Sequence, residues 1–344
     1  MGLRPDLSVI IPVYNRGTLI RHTLASVRLA STNLTVEIIV VDDGSTPPLE
    51  EVLPATGHTV EQLIRQPNQG LLFARLTGLA AATGRYVLFL DSDDLVSADK
   101  LSNHVAAMDA AQADISYSDS ARQALDDTHG PVGSPTPDAP LQTTADSATF
   151  LISVQPAPHS PVFATDYLRI RVAAAPFPPS PLYNPVAEIW FYHICAPFPA
   201  RVLKISSGLA LVGQHAGTRL TNHWENLGVA SLAVMEAFAR TCPADAYGRH
   251  ARALVAAKAF GSWRRLPRGF SPEFSSRLLA LWRYAPDRRF DSSMGGSLFR
   301  LAARLLGPVG AGHLFRFVQA APYAAYRTME DATFTHRLAA LPPP

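Results

Sequence analysis

Apolar residues in the first 120 positions fall in short, nearly continuous runs, each closed by polar or acidic residues. Leu7 to Ile11, Val36 to Val41 and Tyr86 to Leu90 are such runs, rich in β-forming residues and too short for helices. Runs of this kind predict strands of a parallel sheet covered on both faces. Thr59 to Ile64 is a weaker strand, and Asp114 to Tyr117 is a short one. Between the runs the period changes. Leu19, Ile20, Thr23, Leu24 and Val27 recur at helical spacing. Leu71 to Ala82 is a helix stopped by Thr83-Gly84, and Leu101, Val105 and Met108 mark another. Pro12 closes the first strand because it cannot donate to a sheet ladder. Pro67-Asn68-Gln69-Gly70 reads as a turn. Strands alternating with helices predict an α/β fold with a doubly wound, mostly parallel sheet.

The pattern changes after residue 118. Ser118 to Ser147 is rich in Pro, Gly, Ser, Thr and Asp with little periodicity, which predicts a long mobile surface loop. Ala148 to Val154 and Pro161 to Thr165 resume short apolar runs. Asn184-Pro185 predicts a helix start, with Asn as N-cap and Pro at the first helical position. Val202 to Ser206 and Leu209 to Val212 predict a hairpin through Gly208. From Trp224 to about Arg327 the pattern is helical, with breaks near Pro243, Pro267 to Gly269, Pro286 and Gly307 to Gly312. Leu298, Leu301, Leu305 and Leu306, with Arg300 and Arg304, form a stripe that fits either a core helix or a helix lying on a membrane surface. The end, Pro342 to Pro344, is expected to fray.

Composition narrows the partners. The 344 residues are 47% hydrophobic and 17% charged, enough apolar material for a large core. The net charge of +2 is unevenly placed. Acids outnumber bases up to residue 120, and bases outnumber acids more than two to one from Arg240 onward. A basic C-terminal surface suits lipid headgroups or an acidic glycan. Nucleic acid is disfavoured, because the bases are scattered and no nucleic-acid motif accompanies them. Cys195 and Cys242 stand outside any CxxC or Cys/His cluster, so zinc is not indicated. Met1 to Asp6 lacks a signal-peptide apolar region, and no uncharged apolar run reaches 18 residues. A cytoplasmic setting is expected, with peripheral contact at the inner face of the membrane through the basic C-terminal helices.

The chemistry gathers at strand ends. Asn15 follows the first strand, Asp42 and Asp43 the second, and Asp91, Ser92, Asp93 and Asp94 the run from Tyr86. Parallel strands put these ends on one edge, where open α/β sheets bind ligands. Two carboxylates about 4 Å apart repel by roughly 4 kcal/mol at an effective dielectric near 20, and a divalent cation offsets that cost. Taken singly, each cluster could be a solvated turn that caps a helix. Glu188 lies on the first turn of its predicted helix, where the helix dipole favours an ionised carboxylate.

Four stretches in order resemble the family 2 inverting glycosyltransferases of the GT-A fold. They are Ser8 to Asn15, Ile38 to Ser45, Asn68-Gln69-Gly70 with Ala74-Arg75, and Leu90 to Asp94. The resemblance implies a GT-A domain over 1–223 and a helical extension over 224–344. Within the domain, 1–118 would bind the nucleotide sugar, 119–148 would be a mobile loop and 149–223 would form the acceptor half. Pro12, Tyr14 and one or both of Asp42 and Asp43 would line the base and ribose pocket, and a uridine imide suits an Asp acceptor. Arg75 would contact the nucleotide. Asp91-Ser92-Asp93 matches the DXD motif: Asp93 would bind Mn²⁺ or Mg²⁺, Asp91 would hold ribose or metal, and Ser92 would join the donor site. Glu188 would be the general base, although the family pattern places a pair of acids there and Ala187-Glu188 offers one. His215, with Gly217, Thr218 and Arg219, resembles a loop that closes over the diphosphate, and His215 would be a further metal ligand. The implied activity is transfer of a sugar from a nucleotide diphosphate sugar, a UDP-sugar, to a hydroxyl of a glycan or lipid-linked acceptor in surface polysaccharide synthesis. A non-catalytic sugar-nucleotide-binding or scaffold protein is the alternative. A nucleotidyltransferase lacks support, since Pro12 to Gly17 is not a Gly-rich phosphate loop. A DxD phosphatase would carry its nucleophile after the first strand.

Overall fold

The computed structural model describes residues 4–126, 128–215, 223–287, 294–319 and 321–343. Among these, nine strands form one mixed sheet in the order β3-β2-β1-β4-β8-β6-β9-β5, with β7 paired to β6 off that path. β1 (Leu7–Val13), β2 (Val36–Asp42), β3 (Gln62–Arg65) and β4 (Tyr86–Phe89) run parallel. Successive side chains of β1 alternate between two cores: Val9, Ile11 and Val13 pack with α1 (Ile20–Ala30), and Ile10 faces the other core. α1 buries Ile20, Thr23, Leu24 and Val27, the residues that share its helical period. β1 extends past Pro12 to Val13, which pairs with Asp42. Strand alternation turns the missing N–H of Pro12 toward the β4 side, where pairing has ended at Phe89, so no ladder bond is lost.

The chain continues through α2 (Leu49–Val52), α3 (Leu71–Ala81), β5 (Leu95–Val96) and α4 (Lys100–Ala111). The expected strand at Thr59 to Ile64 is β3, displaced toward Arg65. The expected loop over 119–148 is largely a hairpin instead. β6 (Ile115–Asp126) turns back into β7 (Gly130–Pro137). Ala121, Gln123 and Leu125 are buried in alternation with exposed Arg122 and Ala124, a two-residue period hidden by small and polar residues. β7 is an exposed edge, where Pro131, Pro135 and Pro137 are tolerated.

α5 (Ser147–Thr149) runs on into a π-helical turn over Phe150–Val154, followed by β8 (Val162–Ala164) and α6 (Thr165–Ala173). The expected helix start at Asn184 is also corrected. A 3₁₀ turn, Pro181–Val186, begins earlier with the Ser180 side chain as its cap, and α7 (Ala187–Cys195) follows. The expected hairpin through Gly208 is one strand, β9 (Val202–Gln214), whose register against β6 slips between Ser118 and Ser120. Gly208 sits in that slack at φ 83°, and a Cβ there would meet the Lys100 Cα at 2.8 Å. The far end of β9 also pairs with β5, Leu95 opposite Leu211.

α8 (Trp224–Thr241), α9 (Ala246–Arg265), α10 (Pro272–Arg283), α11 (Ser297–Gln319) and α12 (Asp331–Ala339) pack against the α7 side. The breaks follow the expected Pro and Gly positions, and α11 is kinked at Gly307 (φ 71°, ψ 160°). Arg277 makes a bidentate ion pair with Glu236 and donates to the Pro342 carbonyl. Arg240 reaches the Pro343 carbonyl, so the end expected to fray is pinned as far as Pro343. No helix among the described residues is long and apolar enough to cross a membrane.

Candidate active site

β2, β1 and β4 are neighbours running the same way, so Tyr14, Asp42-Asp43 and Asp91 to Asp94 emerge on one edge. Tyr14 is open, at 52% exposure, whereas Pro12 and Ser92 are buried. The loops after β1 and β2 are laced together: Asn15 N donates to Ser45 Oγ, and Thr46 N donates to Asn15 Oδ1. Both aspartates after β2 are buried and support loops. Asp42 accepts from Ser45 N, Leu49 N and Arg65 Nη1, the last at 2.6 Å. Burial opposes its charge, but the donors from Leu49, Ser45 and Arg65 outweigh that and hold its carboxyl below the ordinary range. Asp43 accepts from Gln66 Nε2, Gln69 N and Gly70 N at 2.8 to 2.9 Å. Gly70 has φ +92°, and a Cβ there would collide with the Asn184 amide, so this turn requires glycine. The Asn184 side chain accepts from Leu72 N and donates to Gln69 O. It thus caps α3 from across the cleft rather than its own helix.

The acidic turn after β4 is held from three sides. Asp94 N closes the turn on Asp91 O at 3.0 Å. The Thr23 hydroxyl, from α1, lies within hydrogen-bonding distance of the Ser92 and Asp94 carbonyls. The end of β9 presses on the turn: Gly213 N donates to Asp94 Oδ1 at 2.9 Å, and a Cβ at Gly213 would collide with the Asp93 carbonyl. This close approach brings His215 Nε2 to 2.9 Å from Asp93 Oδ2. On the other side, buried His159 Nδ1 lies 3.1 Å from Asp94 Oδ2. Burial pushes the His159 imidazole down to about 3, so it is neutral.

Arg75 and Glu188 form the second half of the site. The Arg75 side chain is 0% exposed and bridges two carboxylates inside the site. Its Nη2 donates to Asp91 Oδ1 at 2.6 Å, and its Nη1 lies 3.5 Å from Glu188 Oε2. Burial opposes the charge of Arg75, yet Asp91 and Glu188 outweigh it and raise its pKa. Glu188 opens α7 and its side chain is 29% exposed. Burial raises its carboxyl above the ordinary value, with Arg75 pulling the other way.

The expected site residues divide accordingly. Tyr14 is open, Asp91, Asp93 and Glu188 are partly open, the His215 side chain is buried against Asp93, Asp42 and Asp43 are held inside loops, and Asp91 turns toward Arg75. Gly217, Thr218 and Arg219 lie outside the described residues. Among the described residues, no group of three or more His, Cys, Asp or Glu converges as a metal cage. Asp93 and His215 offer one carboxylate and one imidazole side by side, and a cation held mainly by phosphate oxygens needs few protein ligands. Arg65, His159 and Asn184 were not apparent from the sequence. Asp94, the last of the acidic run, was visible as a charge but not as the group that seats β9.

A mostly parallel sheet backed by helices, with polar or acidic residues gathered at the ends of β1, β2 and β4, has the GT-A fold. The solved structure of S. aureus TarS 1-349 in complex with UDP-GlcNAc shares it, with a TM-score of 0.64 and 19% identity over 90% of each chain. Residues 8–158 match the family model of Glycosyl transferase family 2, and this part of the chain belongs to that family. Glycosyltransferase GlyA of Streptococcus pneumoniae serotype 4 is 38% identical over 111 residues, 32% of this chain and 16% of its own length. Succinoglycan biosynthesis protein ExoO of Rhizobium meliloti is 38% identical over 114 residues, 32% of each protein. The matches thus span a third or less of these two relatives.

Proposed function

We propose that the chain is an inverting glycosyltransferase that moves a sugar from a nucleotide diphosphate sugar, a UDP-sugar, to a hydroxyl of a glycan or lipid-linked acceptor in surface polysaccharide synthesis. In this reading residues 1–223 form the catalytic domain and 224–344 a helical extension. The observation that carries the proposal is Arg75, which joins Asp91 of the acidic turn to Glu188 on the opposite wall. The bridge fixes the separation of a donor-side group and a candidate base.

Each residue then has a role. Tyr14 offers an open ring against which a base can stack. Of the two aspartates after β2, Asp43 is the better acceptor for an imide N–H. The charge of Asp42 is already met by Arg65, and hydrogen bonds to an uncompensated carboxylate are the stronger kind. Asp93 and His215 would hold Mn²⁺ or Mg²⁺, which when bound neutralises charge on the leaving diphosphate. Glu188 takes the proton of the acceptor hydroxyl as that oxygen attacks the anomeric carbon. The new glycosidic bond forms on one face while the bond to the diphosphate breaks on the other, and the electron pair leaves with the diphosphate. Arg75 is a positioning residue that holds Asp91 and Glu188 on opposite sides of one guanidinium.

A thermal-shift panel of nucleotide diphosphates with and without Mn²⁺ tests the donor side. UDP should raise the melting temperature only with metal, and Asp93→Ala should remove the shift. Equal shifts without metal would defeat the role given to Asp93. Turnover tests the base: Glu188→Gln should lower kcat by roughly 10²- to 10⁴-fold. The single acid at the start of α7 favours one second reading, a sugar-nucleotide-binding protein without catalysis. UDP binding with no hydrolysis or transfer in the unsubstituted chain would select it.

A further inference from the structure

α11 is apolar on both faces. Inward, Phe299 is buried near Phe260, with the Arg264 guanidinium 4.4 Å above its ring, and Ala303 and Ala311 are buried. Outward, Leu298, Leu301, Leu305 and Leu306 are 55% to 80% exposed. Beyond the kink at Gly307, Leu314, Phe317 and Val318 are exposed as well. A surface helix ordinarily turns a polar face to water, and a face of large apolar side chains marks a contact site.

The charge around this face indicates what covers it. From Ser292 to Met329 the sequence has no Asp or Glu, and of its arginines Arg300 and Arg304 lie at this face, whereas Arg316 packs over Trp263 and Arg327 pairs with Asp331. Exposed Arg304 lies among the exposed leucines of the first half, with Arg300 half-buried at their margin. A second copy docked symmetrically on this face would set these arginines against themselves, and the segment supplies no acid to pair them. An anionic bilayer fits both features. Leucine and phenylalanine side chains enter the boundary between headgroups and acyl chains, and arginine heads reach the lipid phosphates.

We propose that α11 is an in-plane membrane anchor whose exposed face docks on an anionic lipid surface. The helix lies on the bilayer, since neither half is long and apolar enough to cross it. The anchor is independent of the chemistry assigned to the cleft and is read without any substrate.

Cosedimentation of the full chain with phosphatidylcholine vesicles, with and without phosphatidylglycerol, tests it. Binding should be roughly tenfold or more tighter to the anionic vesicles and should weaken as salt rises. Leu301→Glu with Leu305→Glu should abolish binding. Arg300→Gln with Arg304→Gln should remove the preference for anionic lipid. Both double variants should melt like the parent, because Leu301, Arg304 and Leu305 are exposed and the side chain of half-buried Arg300 makes only an exposed bond to Ser297 among the described residues. Absence of binding to either vesicle, or unchanged binding by the leucine variant, overturns the proposal. A parent that is dimeric in light scattering and becomes monomeric with Leu301→Glu also overturns it, in favour of a second copy on this face.

Discussion

At Arg75 a cation without access to water stands between carboxylates from two distant parts of the chain. Removing it leaves both acids facing a poorly solvated site. Arg75→Met should therefore destabilise the fold by about 3 kcal/mol in urea denaturation, the scale for breaking a buried pair. Arg75→Lys keeps the charge but loses the planar fork that spans both partners. It should retain more stability than Arg75→Met while kcat still falls. The neighbouring Glu188 makes a prediction about pH. Burial raises its carboxyl above the ordinary glutamate range, and a base works only when ionised. Activity should be present above that raised pKa and fall as pH drops through it. The acid limb of kcat against pH should lie above the range of an ordinary glutamate in the parent, and the same limb should be missing from the residual rate of Glu188→Gln.

At the scale of elements, contacts across the cleft matter more than local propensity. Asn184 caps α3 although it belongs to the turn before α7. Asn184→Ala should cost about 1 kcal/mol, the usual worth of a helix cap, measured by thermal or urea melts. The strands β1, β2 and β4 were legible in the sequence because each is a dense apolar run that only a doubly covered sheet accommodates. The β6–β7 hairpin was not. Its buried positions are Ala121, Gln123 and Leu125, and its edge strand is built from Gly, Pro and Ser, which resemble a loop in composition. β9 departs from the expected hairpin for a related reason. Gly208 looks like a turn residue, but its positive φ serves a slip in register within one strand. Asp93 stands out in the sequence because the acidic run around it is local, and Glu188 because it opens a helix. Arg65, His159 and Asn184 act only through partners far away in sequence, and nothing near them signals those partners.

At the scale of the whole molecule, the helices after Trp224 are fastened to one another and to the chain end by buried charge. Arg277 joins Glu236 on α8 to the carbonyl of Pro342. Arg277→Met should strand the Glu236 carboxylate and cost about 3 to 5 kcal/mol, read as an earlier unfolding transition. Exposed edge residues such as Val132 should tolerate substitution in the same assay. The acidic turn, finally, is complete only when late parts of the chain reach it: α7 supplies Glu188, and the tip of β9 supplies His215. On a ribosome, the stretch bearing the family signature would emerge well before either. A fragment ending at residue 158 would still carry the family match, yet it would hold the acidic turn with neither Glu188 nor His215. The recognisable unit and the working unit of this protein therefore differ.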